Sequence, residues 1–166
     1  MLRIDTDLAA QTRAERCPCG GVLHRANYPR KPRGCSPEVL AACDFRFSFC
    51  CNRCRKRKTA MSVRFLGRRV YLALTVVLKS IRAGPTTAQA RLCTMLDVPL
   101  RTIQRWRAWW LQIFPSTGLW QAECARFMPP ASTTELPAGL VVRFTGSAEE
   151  SMARLLAFLS PLSVQR

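Results

Sequence analysis

The spacing of apolar side chains changes along the chain, and each change marks a different kind of element. Phe45, Phe47 and Phe49 alternate with Arg46 and Ser48, the period of two of a half-buried strand. That strand leads into Cys50-Cys51, and Met61 to Phe65 is expected to return, closing a short hairpin around Cys54. From Arg68 to about Phe127 the pattern is helical. A first helix over Arg69–Ala83 stops at Gly84-Pro85, and Thr86 or Thr87 caps a second one to Leu96. Asp97-Val98-Pro99 makes a turn, Leu100 to Phe114 a third helix closed by Pro115, and Trp120–Phe127 a short fourth. Further on, Ser147 and Glu150 have capping-box spacing. Met152, Leu155, Leu156 and Leu159 then form one apolar stripe, ended by Pro161.

With seven cysteines gathered between Cys17 and Cys54, a metal-ligand density, these elements predict a mainly α protein with a small N-terminal zinc ribbon, a helix-turn-helix bundle and a C-terminal amphipathic helix. The expected segments are a polar, partly helical leader (1–16), a cysteine-rich basic module (17–67), a helix-turn-helix domain (68–128), a linker (129–146) and the tail helix (147–166).

Composition narrows the function. Of 166 residues, 26 are Lys or Arg and 10 are Asp or Glu, a net charge of +16. Self-repulsion on this scale points to a polyanionic partner. The charge is uneven: +11 in residues 1–70, +5 in 71–130 and zero in 131–166. No apolar run follows a basic start, so no export signal is expected. The apolar run Val70–Leu78 is about half of what spans a bilayer, so no membrane role is expected. A cytoplasmic chain keeps its thiols reduced, where cysteines hold metal more readily than they form disulfides.

Seven of the nine cysteines lie between Cys17 and Cys54. Two close pairs stand out: Cys17-Pro18-Cys19-Gly20-Gly21 and Cys51-Asn52-Arg53-Cys54. Two tight turns, each offering two thiolates, supply the four soft ligands of a tetrahedral zinc ion. Backbone N–H groups at the first pair, and Arg53 and Arg55 at the second, would stabilise thiolate charge. Cys17, Cys19, Cys51 and Cys54 are therefore the predicted ligands, with Cys50 an alternative to Cys51 and His24 an alternative to Cys17 or Cys19. Cys35 and Cys43 are spare or belong to another arrangement, and Cys93 and Cys124 are small core residues. A segment this poor in long apolar runs needs such a cross-link to fold, and structural zinc contributes on the order of 10 kcal/mol or more. With a single His and no H-E-x-x-H, a catalytic metal is not expected.

Gln89 to Trp110 has the spacing of a helix-turn-helix, with Leu92, Leu96, Val98, Ile103 and Trp106 at the buried offsets. Cys93 permits close helix approach, Asp97 takes the turn and Pro99 suits the first helical turn. With Leu100, Ile103, Trp106, Trp110 and Ile113 inward, the residues Arg101, Thr102, Gln104, Arg105 and Arg107 are left outward. Those positions reach base edges when a recognition helix enters the major groove. Arg53, Arg55, Lys56, Arg57, Lys58, Arg64, Arg68 and Arg69 form a basic bridge with no acid among them, suited to phosphate contact. Engaging about six phosphates gives a slope near −5 in log K against log[salt].

The blocks C-P-C-G-G (17–21), Leu23-His24, Y-P-R-K-P-R-G (28–34), C-C-N-R-C-R (50–55), S-V-R-F-L-G-R-R-V-Y (62–71) and T-I-Q-R-W (102–106) resemble small bacterial zinc-ribbon/helix-turn-helix proteins associated with insertion sequences. They also resemble the N-terminal DNA-binding region of transposases. The resemblance covers residues 17–128 and implies binding to mobile-element DNA in a bacterial cytoplasm, at the nucleoid. Both cysteine pairs are shorter than that pattern, and no acidic triad on an RNase H-like sheet can be built from the ten scattered acids.

The expectation is a non-catalytic, zinc-stabilised, sequence-specific double-stranded DNA-binding protein, transposase-like or accessory to one. The tail helix offers a surface for a transposase or a second copy through Met152, Leu155, Leu156 and Leu159. A transcriptional regulator would look much the same. The main alternative is an RNA-binding zinc ribbon that uses the basic bridge and Phe45, Phe47 and Phe49. A cysteine nucleophile would require His24 as its base and ranks last.

Overall fold

A computed structural model describes residues 1–66, 71–81, 93–94 and 98–164. Helices dominate, with a small sheet part in the first third. The chain divides into two compact units, Met1–Leu72 with Leu159–Arg166, and Ala73–Phe158.

In the first unit, helix α1 (Leu2–Ala14) is built from good helix formers, with Asp5 in its first turn and Arg13 in its last. Asp5, Ala9 and Thr12 lie at helical spacing and are buried. Strands β1 (Leu23–Arg25), β4 (Ser48–Cys51) and β5 (Arg57–Thr59) form an antiparallel sheet in the order β1-β4-β5. Between them in sequence, β2 (Tyr28–Pro29) pairs with β3 (Phe45–Arg46), and helix α2 (Pro37–Ala42) joins the two. Alternation along β4 sends Phe49 and Cys51 to the face that also carries Phe47. There they pack with Ala9, Leu23 and Ala60. The return strand is Arg57–Thr59 rather than Met61–Phe65. Lys56 O already accepts from Cys51 N at 3.0 Å, so pairing resumes directly after the Cys51–Cys54 turn.

Ser62, Val63, Arg64 and Phe65 are instead buried, and the reason is Asp5. Its carboxylate accepts from Arg64 Nε at 2.7 Å, from Ser62 Oγ at 2.5 Å and from the Val63 N–H at 2.6 Å. Arg64 also donates to the carbonyls of Ala42 and Phe45 and lies over the rings of Phe45, Phe47 and Phe65. Arg64 is 1% exposed and so leaves the basic bridge. Residues 1–16 are correspondingly more than a polar leader, since they supply the counter-charge of the core. The 3-10 turn Ser160–Ser163 joins the same network: Ser163 Oγ accepts from Ser62 N at 2.9 Å and from Arg46 Nη2 at 3.0 Å. Burial pushes the Arg46 guanidinium down to about 10.

In the second unit, α3 (Ala73–Ile81) packs on α4 (Leu100–Ala108). Helix α4 runs on as a π turn, Trp109–Ile113, and ends at Phe114-Pro115. Thr117 caps the next helix, Gly118–Glu123, by accepting from Trp120 N. The core is a run of ring contacts at centroid distances of 4.8 to 6.0 Å, from Trp109, Trp110 and Phe114 through Trp120 to Phe127, Phe144 and Phe158. Residues 129–146 hold a 3-10 turn, Thr133–Glu135, and a short helix, Ala138–Val141, with Leu136 and Leu140 buried. They are packed chain where a linker was expected. Ser147 and Glu150 form the expected capping box at the start of Ala148–Leu159. Leu155, Leu156 and Leu159 are buried within the chain, so most of the stripe expected to face a partner is already covered.

Candidate metal centre and basic surface

The first cysteine turn is set by backbone geometry. Gly20 N donates to Cys17 O at 2.8 Å, with Gly20 at φ +78, a conformation suited to a residue without Cβ. Cys17 N then donates to Gly21 O at 3.2 Å and closes the loop. In the second turn the N–H groups of Arg53 and Cys54 point at Cys51 Sγ at 3.4 and 3.5 Å. Arg55, at φ +58, turns the chain out toward β5. Asn52 links the two turns, donating from its N–H to Val22 O at 3.0 Å and accepting from Val22 N on its side-chain oxygen at 2.9 Å. Arg53 Nη1 adds a bond to Cys19 O at 3.1 Å. Gly21 is the contact point: a Cβ there would sit 2.5 Å from Cys51 Sγ and 2.9 Å from Arg53 Cβ.

These links bring Cys17, Cys19, Cys51 and Cys54 together, with all four Sγ atoms within 4.8 Å of one another. Cys17 and Cys54 approach to 3.5 Å and Cys19 and Cys51 to 3.4 Å. A tetrahedron with metal–sulfur bonds of about 2.3 Å has sulfur–sulfur edges of about 3.8 Å, so the cluster has the right size and chemistry to hold a metal ion. The electrostatics are already polarised. Backbone N–H donation, from Cys54 first and then Arg53, overcomes desolvation and pulls the Cys51 thiol down to about 6. At Cys17 a backbone hydrogen bond from Cys19 also pulls down. Desolvation and the surrounding thiols outweigh it and push the group up to about 12.

The alternative ligands fall elsewhere. Cys50 and His24 are cross-strand partners on β4 and β1. Cys50 Sγ donates to Arg55 O at 3.5 Å, and His24 is exposed. Cys43 is buried with Phe65 and Leu72, Cys35 packs against them, and burial raises the Cys35 thiol. Cys93 and Cys124 are both half-buried.

On α4, Arg101, Gln104, Arg105 and Arg107 are exposed, opposite buried Ile103 and Trp106. Thr102 was expected outward and is buried, 3% exposed, because it lies on the Ile103–Trp106 side of the helix. Its Oγ1 accepts from Arg105 Nη2 at 3.1 Å and so orients that guanidinium. Leu100 and Ile113, expected inward, are exposed. Ile113 lies in the π turn, where the helical register shifts. Val98 is buried and its N–H donates to Cys93 O at 3.1 Å. Gln89, Leu92, Leu96 and Asp97 of the expected helix-turn-helix lie outside the described residues, as do Arg68 and Arg69 of the bridge.

In the rest of the bridge, Arg55 and Lys56 are exposed. Arg53 is held by Cys19 O, and Arg57 by Ala26 O, Ser48 Oγ and the Tyr28 ring. Lys58 pairs with Glu15 at 2.7 Å. The glycine doublet after Cys19 marks the first turn in the sequence, whereas sequence reasoning missed Asn52, whose signal is an Asn, apt to bond backbone, directly after Cys51.

No family model, curated protein or solved structure matches this chain. Among the described residues, no helix is long and apolar enough to cross a membrane.

Proposed function

We propose that this chain is a non-catalytic, zinc-stabilised protein that binds double-stranded DNA in a sequence-specific way, in a mobile-element setting within a bacterial nucleoid. The observation that carries the reading is the outer face of Leu100–Ala108. Arg101, Gln104 and Arg105 stand there at i, i+3 and i+4, with Ile103 and Trp106 buried behind them. Arg pairs bidentately with guanine and Gln with adenine in the major groove. Thr102 fits a positioning role, holding Arg105. Arg55 and Lys56, exposed beside the cysteine cluster, supply phosphate contacts without sequence preference.

Zinc suits the cluster because four thiolates in tetrahedral array favour it, and it brings no redox chemistry of its own. Cys17, Cys19, Cys51 and Cys54 would hold it, and it would stabilise a module whose apolar core is small. The RNA-binding alternative is disfavoured: Phe47 and Phe49 are buried, and Phe45 and Phe47 lie against the Arg64 guanidinium rather than presenting faces to bases. The test is selection from a random duplex pool with zinc-loaded protein, repeated with Arg101→Ala and Arg105→Ala together. An enriched motif that the double variant loses supports the reading. No motif, or one indifferent to the substitutions, removes it.

A further inference from the structure

The first unit contains a groove of about 560 Å³ between the second half of α1 and strand β1. Ala10, Ala14 and Val22 give it an apolar floor, with Leu23, Phe47 and Phe49 buried beneath them, and Arg13, Arg16 and Arg25 surround it. No carboxylate lines it. Glu15, the acid beside Ala14, is paired with Lys58 on β5, at the opposite edge of the sheet from β1. Arg13, Arg16 and Arg25 are exposed, and among the described residues their side chains make no hydrogen bond or ion pair.

We propose that this groove binds a nucleoside phosphate, with the base against the apolar floor and the phosphate among the three guanidinium groups. Three uncompensated cations around one cavity call for an anion with more than one charge. A phosphate monoester carries nearly two negative charges at neutral pH, whereas an acyl carboxylate carries one. The volume is that of a small-molecule site. Guanidinium groups both stack on planar rings and bind phosphate in bidentate fashion. The ligand is either a free mononucleotide or the unpaired terminal nucleotide of a DNA strand. The second source rests on the DNA-binding reading above, and the first does not.

Binding of deoxyadenosine monophosphate to the zinc-loaded full-length protein, measured by calorimetry, tests this directly against inorganic phosphate and octanoate. The nucleotide should bind about tenfold or more tightly than either. Arg13→Gln/Arg16→Gln/Arg25→Gln removes the cations, and Ala10→Leu fills the floor without touching charge. Each should weaken nucleotide binding by about tenfold or more, with zinc content and circular dichroism unchanged. Arg101→Ala/Arg105→Ala should leave nucleotide binding intact, so loss of the duplex reading would not count against the groove. Displacement of the nucleotide by a duplex with one unpaired 3′ nucleotide, but not by a blunt duplex, assigns the strand end. Displacement by neither assigns the free nucleotide. Equal binding of phosphate or octanoate, or indifference to both sets of groove substitutions, overturns the proposal.

Discussion

The two units are held together by different chemistry. Met1–Leu72 with Leu159–Arg166 is organised by directional contacts: four thiols, a buried Asp5–Arg64 pair, and Arg46 and Ser62 meeting at Ser163. Ala73–Phe158 is organised by area, a continuous run of packed aromatic rings with few buried polar groups among the described residues. Directional contacts hold a small module in one geometry but fail abruptly when a partner is removed. Apolar burial degrades more gradually, by the volume lost at each position. All four tryptophans, Trp106, Trp109, Trp110 and Trp120, lie in the second unit. Their emission therefore reports that unit alone.

The largest expected effect comes from withholding metal. In the zinc-loaded protein, chelation or Cys51→Ser should unfold the first unit while tryptophan emission keeps its position. A red shift that tracks zinc loss would break the comparison, since the two units would then melt as one. Next, Trp110→Ala should cost about 3–5 kcal/mol and act on the second unit. Zinc binding should persist, as read by metal retention during a urea titration. Asp5→Ala leaves Arg64 buried without its counter-charge and should cost about 3–5 kcal/mol, seen as loss of the first unit's transition at unchanged tryptophan emission. Gly21→Ala puts a methyl against Cys51 Sγ, an overpacking cost of about 1–3 kcal/mol, and should weaken zinc affinity in competition with a chromophoric chelator.

The smallest effect is at the capping box. The Ser147 backbone N–H holds Glu150 below its ordinary value of 4.5. Its contribution to stability is therefore fully present above that value and is lost as pH falls through the lowered one. Glu150→Gln should flatten this part of the acid limb of a pH–stability profile. An unaltered limb would show that the cap contributes nothing.

Much of this was legible locally. The two cysteine pairs, the Phe45–Phe49 alternation, the helix from Leu100 and the Ser147–Glu150 cap all act over a few residues, where spacing and backbone period decide the outcome. The choice of Cys51 over Cys50 was readable in the same way, because continuing the Phe47, Phe49 alternation by one step lands on Cys51. The π turn at Trp109–Ile113 was not readable, and it is what exposes Ile113 where simple helical periodicity buries it. Arg64 was also misleading. In sequence it is one more cation in a basic run, and nothing nearby announces that its counter-charge stands 59 residues earlier.

The chain's own spacing settled the strand into Cys51, the helix from Leu100, the Ser147–Glu150 cap and which side chains can serve as soft ligands. Packing alone decided which distant residues meet: Asp5 with Arg64, Ser163 with Arg46, Gly21 against Cys51, and Arg13 and Arg16 with Arg25 around one groove. The reason is physical. Local order depends on backbone dihedrals and neighbouring side chains, whereas a buried charge or a close approach is stable only once the whole surrounding surface has closed over it.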